Sequence, residues 1–196
     1  MALRDRFQQF KNSADAKVLA SNFAWLSVMQ VASYIFPLFT YPYLARVIGV
    51  DGFGRIAFAA AIMVWISTVA DWGFNFTATR DVSKNRENID KVSEIFSNVL
   101  WARLSLMIIS FCVLIILIIA VPVFRNDYAV ILITFLMIPG HICCPEWFFQ
   151  AMQRMKYITY INIGIKLFFT ICVFIFIHKP SDYLYQPLLI SIGYLL

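Results

Sequence analysis

Along this chain, long uncharged apolar runs alternate with short polar connections. No charge falls in 18–45, 56–70, 104–121 or 128–140, and 157–177 carries a single charge, Lys166. A helix needs about 20 apolar residues to cross about 30 Å of hydrocarbon, whereas membrane strands alternate with period two, a pattern missing here. The prediction is an all-α, polytopic transmembrane helix bundle. Five full spans are expected at 18–45, 56–70, about 92–121, about 128–150 and about 157–177, with a sixth beginning at 188. The nine residues 188–196 are too few to cross. The expected organisation is therefore a leader over 1–17 and a transmembrane lobe over 18–196, cut within its sixth helix.

Breaks are expected where the backbone loses a donor or gains freedom. Pro37 and Pro42 should kink or break span one, and Pro139, Gly140 and Pro145 should break span four. Gly49, Gly52 and Gly54 give a tight corner between Arg46 and Arg55. The polar stretch 78–93 reads as a solvated loop with a short helical piece. In the leader, Arg4, Arg6, Lys11 and Lys17 interleave with Phe7 and Phe10, which suits an amphipathic helix on the inner membrane face or a solvated segment.

Composition sharpens this picture. With 61% hydrophobic residues, 14% charged residues and a mean hydropathy of +0.76, the chain departs from the roughly 25% charge of soluble domains. The net charge of +5 is concentrated in connections. Placing the N-terminus in the cytoplasm puts ten Lys and Arg inside and four (Arg46, Arg55, Arg125 and Lys179) outside, a positive-inside bias. Trp72, Trp101 and Trp147 then fall at the inner interface and Tyr128, Tyr183 and Tyr185 at the outer one. This arrangement is a topology signal, with no basic stripe of the kind that binds nucleic acid. Cys112, Cys143, Cys144 and Cys172 lie in apolar segments without zinc spacing and read as packing residues. No cofactor or metal is expected, and no catalytic residue.

A few charges interrupt the apolar runs. Lys166, near the middle of span five, is costly in hydrocarbon and needs a wet cavity or a partner; a structural ion pair or snorkelling is the alternative. Arg103 lies towards the inner end of span three, either lining a cavity or reaching the interface. Arg46 and Arg55 suit bidentate phosphate binding or helix capping at the corner. Span two is short, so Arg55 and Asp71 should face protein. Asp71 and Glu146, the acids nearest the apolar cores, suit pairing with a cation or exchange of a coupling proton. His141 and His178 read as structural.

Three ordered strings carry a resemblance: NFAWLSVMQVASYIFPLFTYPYLARVIGVDGFGRIAFAAA, DWGFNFTATRDVSKNRENIDKVSEIFS and PEWFFQAMQRMKYIT. Together they resemble the Wzx-type O-antigen flippases of the multidrug/oligosaccharidyl-lipid/polysaccharide exporter superfamily, over about 21–185. The corner motif corresponds to Pro42–Gly49 and Phe53–Ala61, and the close of the second helix to Asp71–Asn75 and Ala78–Arg80. After WFFQ the family pattern has Gly-Met-Glu, where this chain has Ala151, Met152 and Gln153. The resemblance implies the N-terminal half of a two-lobed protein in the bacterial inner membrane. Its implied activity is moving undecaprenyl-diphosphate-linked O-units across the bilayer by alternating access, often coupled to protons or sodium.

It implies a cationic path, for which Lys166, Arg103, Arg46 and Arg55 are the candidates, with Asp71 and Glu146 as coupling or ion-pair residues. Implied partners are the lipid-linked oligosaccharide, the bilayer, and the O-antigen polymerase and chain-length regulator. A drug antiporter would place carboxylates in span one, which has none. A membrane polymerase or glycosyltransferase would need a large outer loop or an acidic site, and the outer connections are short. A truncated, non-transporting scaffold for the polymerase machinery is the alternative reading.

Overall fold

A computed structural model describes residues 14–195. Arg4, Arg6 and Lys11 of the leader lie outside the described residues. All regular secondary structure among those residues is helical: α1 (Ala14–Asp71), α2 (Phe74–Lys84), α3 (Ile89–Ala120), α4 (Pro122–Asn126), α5 (Tyr128–Phe135), α6 (Met137–Cys143), α7 (Glu146–Ala151), α8 (Met155–Phe176) and α9 (Tyr185–Leu195), with a 3₁₀ turn at Pro180–Leu184. Four stretches are long and apolar enough to cross a membrane: Ala16–Lys84, Ile89–Ala120, Tyr128–Ala151 and Met155–Phe176. The first is bent. Gly49 has φ 76 and ψ 175, a region essentially reserved for glycine, and it divides α1 into arms 14–48 and 50–71.

Cross-contacts give the directions. Trp25, Ser33 and Tyr43 of the first arm meet Thr159, Lys166 and Ile177 in that order, so this arm and α8 run parallel. Asp71 meets Arg103 while Phe58 packs on Phe124, beyond the other end of α3, so the second arm runs antiparallel to α3. Phe111–Phe135 and Phe96–Trp147 set α5–α7 antiparallel to α3. The first arm, α3 and α8 thus point one way, and the second arm and α5–α7 the other.

Several expected breaks move. The first arm stays helical through Pro37 and Pro42; each proline removes one N–H from the ladder, and the turn to the next element waits for Gly49. In the fourth span one interruption falls at Leu136, between α5 and α6, and a second at Cys144 and Pro145, between α6 and α7, where Pro145 was expected to break the helix. Pro139 has no N–H for the Phe135 carbonyl four residues back, so the ladder opens one turn upstream of the ring. Gly140 lies inside α6 and does not break it. A Cβ there would stand 2.5 Å from the Tyr194 carbonyl oxygen, so glycine lets α9 approach.

The stretch 78–93 is mostly helix, not loop. Ala78 and Val82 are buried with Val99, Trp147 and Ala151 in a small apolar cluster that caps one end of the bundle, and this burial holds α2 onto α7. Asn88 then caps α3 by accepting from the Lys91 N–H at 3.1 Å. Trp147 is accordingly a core residue, 3% exposed, and not an interfacial anchor, whereas Trp72 and Trp101 are exposed. Of the cysteines only Cys172 is buried, and Cys112 and Cys143 are exposed on the bundle surface. The main core joins Leu44 and Ile48, before the corner, to Ile56, Ala59 and Met63, after it, and to Ile131, Val173 and Ile177.

Candidate functional site

Arg103 sits fourteen residues into α3, and its side chain is only 2% exposed. It is too deep to snorkel. Its guanidinium donates through Nη2 to Asp71 Oδ1, and the same nitrogen stands 3.5 Å from His141 Nδ1; Nε is buried without a partner. The helix geometry explains the meeting: Asp71 is the last residue of α1, held there by the left-handed turn at Trp72 (φ 37) and Gly73 (φ 78). An arginine in this setting needs its carboxylate, because an isolated buried charge is far costlier than a paired one.

This pair separates two cavities. One, of about 500 Å³, is lined by Asn75, Thr79 and Arg80 of α2, Arg103, His141, and Glu146 and Gln150 of α7. The other, of about 460 Å³, contains Asp71, Ser67, Thr68, Thr134, Gln186 and Tyr194. His141 and Tyr194, one from each cavity, have ring centroids 6.1 Å apart. The first cavity is lined by two arginines and one carboxylate; Arg103 is already bound to Asp71, which leaves Arg80, unpaired among the described residues, as the guanidinium free to meet an anion.

Glu146 leads away from it towards α8. Its Oε1 accepts from Asn162 Nδ2 at 2.8 Å, and Asn162 and Lys166, four residues apart, share a helix face. Glu146 is within electrostatic reach of Lys166. Lys166 Nζ donates to Ser33 Oγ of the first arm at 2.6 Å and has no carboxylate within ion-pair distance among the described residues. A polar track thus runs from Asp71 and Arg103 through His141, Glu146 and Asn162 to Lys166 and Ser33, inside an otherwise apolar bundle.

Arg46 and Arg55 lie at the opposite end, beside the Gly49 corner. Arg55 is held by Asp51 (Nε to Oδ2, 3.4 Å) and Asp127 (Nη1 to Oδ1, 3.4 Å), with the Tyr183 ring 6.0 Å from Cζ. Arg46 is exposed and unpaired among the described residues. The structure therefore brings Arg103, Asp71 and Glu146 together, sets Lys166 further along the same track, and leaves Arg46 and Arg55 apart. Sequence reasoning passed over Asn162 and Ser33, met Arg80 only within the Ala78–Arg80 motif, and read His141 as structural. The signal that could have found Asn162 is its spacing of four from Lys166 in an apolar helix.

Comparison with known proteins agrees with the membrane reading. The family profile described as "Polysaccharide biosynthesis protein" matches residues 19–196. A protein of Escherichia coli (strain K12) named "Putative O-antigen transporter" is 34% identical over 165 residues, covering 84% of this chain and 40% of its own length. One of the same name from Shigella dysenteriae is 24% identical over 164 residues, covering 84% and 41%. The chain thus spans about two fifths of the length of the curated relatives it matches, and no solved structure matches it. Matched by that profile from residue 19 to residue 196 and built of apolar spanning helices, the chain belongs to the polysaccharide biosynthesis protein family and is a multi-pass protein of the inner membrane.

Proposed function

We propose that this chain is the N-terminal lobe of a transporter that moves undecaprenyl-diphosphate-linked O-antigen units from the cytoplasmic to the periplasmic leaflet by alternating access. The observation that carries the reading is the buried Arg103 between two cavities, at the head of a polar track through apolar helices. A polyprenyl tail can stay in lipid while the diphosphate and sugars need a wet, cationic route. In this reading the N-terminus is cytoplasmic, and five spans and the start of a sixth alternate as α1's two arms, α3, α5–α7, α8 and α9. The cavity with Arg80 and Arg103 then opens towards the cytoplasm, where the lipid-linked unit is made.

Arg103 and Lys166 serve the diphosphate along the track. Arg46 and Arg55 gate the periplasmic end. Asp71 and Glu146 balance these charges and take up the coupling proton or sodium. Docking of the polymerase and chain-length regulator on the same lobe is compatible with this role, but a scaffold alone has no need of a buried cation between cavities. The names of the two relatives support O-antigen transport in particular.

Complementation tests the reading. A chimera carrying residues 19–196 in place of the matching segment of the E. coli relative is expressed in a strain lacking its O-unit flippase, and extracted lipopolysaccharide is examined for polymerised O-antigen. A ladder is expected from the chimera and its loss on Arg103→Ala at unchanged protein level. A ladder that persists without Arg103 overturns the assigned path.

A further inference from the structure

A second basic site lies away from the polar track, where the first arm of α1 and the start of α8 come together. A pocket of about 350 Å³ there is lined by Lys17, Asn22 and Trp25 from α1 and by Gln153, Arg154 and Lys156 from the α7–α8 connection and α8. Three cations converge from two segments far apart in sequence. Among the described residues, no acidic side chain lines the pocket and none of the three cations makes an ion pair.

The pocket's position is as informative as its charge. Trp25 packs edge-on against Tyr160, with centroids 5.0 Å apart, and such aromatic side chains favour the headgroup level of a bilayer. Val18, which lines the pocket, is 42% exposed, and Tyr160, packed on Trp25, is 56% exposed. A ligand seated among the cations therefore has apolar wall beside it on the membrane side, and polar Asn22 and Gln153 at the cations' own level. A soluble anion would use only the basic half of this arrangement.

We infer that this pocket binds the headgroup of an anionic phospholipid, its phosphate among Lys17, Arg154 and Lys156 and its acyl chains along Val18, Trp25 and Tyr160, in the leaflet facing the start of α1. The site is independent of the transport path: none of its residues lines either interior cavity. It clamps the first arm to the α7–α8 connection through a lipid, so that these segments are joined by headgroup contacts as well as by the Thr159 hydroxyl donating to the Trp25 carbonyl at 3.0 Å.

The test uses Trp25 as the reporter. The whole chain is reconstituted in phosphatidylcholine vesicles doped with brominated phosphatidylglycerol or, in parallel, brominated phosphatidylcholine, and the Trp25 signal is isolated by difference against Trp25→Phe. Brominated phosphatidylglycerol should reach half-maximal quenching at a several-fold lower mole fraction than brominated phosphatidylcholine. The preference should weaken about fivefold per cation removed, the expected worth of one basic side chain near an anionic surface. Lys17→Gln with Lys156→Gln should abolish most of it, and Lys17→Arg with Lys156→Arg should retain it.

Lys84→Gln with Lys91→Gln, which removes the same charge from exposed positions elsewhere, should leave it unchanged. Equal quenching by the two lipids overturns the proposal, as does equal weakening by the two glutamine pairs, which means diffuse attraction only. Competition by inorganic phosphate beyond that of chloride at matched ionic strength overturns the lipid assignment in favour of a soluble phosphate.

Discussion

Arg103 and Lys166 are both cations placed within apolar spans, and the protein treats them oppositely. Arg103 is 2% exposed and bound to a carboxylate that is itself only 23% exposed. Lys166 is half-buried and held by a neutral serine hydroxyl. The first charge is compensated within the fold. The second is left with attraction to spare, the condition for receiving an anionic group in passing. Burial of an arginine demands a partner of opposite sign, whereas a lysine with a flexible stem and some access to water can be held by a hydroxyl alone.

Breaking the compensated pair should have the largest effect. Asp71→Asn leaves Arg103 buried and uncompensated, and is expected to cost about 3–5 kcal/mol of stability, read as a lowered thermal midpoint of the purified chain in detergent. Asp71→Leu combined with Arg103→Met should recover most of that loss, since apolar replacement of a whole buried pair is often neutral or better. If the double variant is no more stable than Asp71→Asn, the pair does not hold its charges in the way described.

Next in size is a change beside the pair that alters no charge. Gly140→Ala places a methyl 2.5 Å from the Tyr194 carbonyl oxygen, and overpacking of this kind typically costs about 1–3 kcal/mol. It should push α9 away from α6. Faster hydrogen exchange confined to α9 and α6 would confirm the displacement, while unchanged exchange and midpoint would show that the contact is not tight.

Lys166→Met is expected to be the mildest of the interior changes, within about 1 kcal/mol and of either sign. It removes a costly cation along with one hydrogen bond to Ser33. In the complementation chimera, by contrast, it should abolish the O-antigen ladder. A large loss of stability would erase the contrast with Arg103 and make Lys166 a structural residue.

The smallest effect belongs to a solvated carboxylate outside the spans. Asp182 accepts the backbone N–H of His178 at 3.1 Å and of Lys179 at 2.9 Å. These bonds, that from His178 foremost, hold its carboxyl below the usual carboxylate range. Its folded value lies below its unfolded one, so its contribution is present above the ordinary carboxylate range and lost as pH falls through the depressed folded value. The midpoints of wild type and Asp182→Asn should differ slightly at neutral pH and converge in acid. A difference that is independent of pH would assign the effect to something other than this carboxylate.

Much of the architecture was legible beforehand because the bilayer leaves few options for apolar runs of this length. Span three, read as 92–121, is α3 (Ile89–Ala120), and span five, read as 157–177, is α8 (Met155–Phe176). The errors were local ones. Proline was expected to kink or break the first arm, and the arm stays helical through both, since a long helix packed on α8 tolerates two missing donors. The stretch 78–93 looked like loop because its polar residues outnumber Ala78 and Val82, whose burial against Trp147 holds it helical. Arg103 was left between lining a cavity and reaching the interface because distance along one span says nothing of what lies beside it.

From the sequence alone came an all-helical membrane protein, the residues where charge interrupts hydrocarbon, and the motifs shared with its family, since each of these depends on local composition and order. Tertiary structure decided which charges meet. Asp71 and Arg103 are thirty-two residues apart and Ser33 and Lys166 one hundred and thirty-three, and only the packing of α1 against α3 and α8 brings them within bonding distance. The pocket joining Lys17 to Arg154 and Lys156 is of the same kind: its three charges are unremarkable in sequence and become a site because two helices begin side by side.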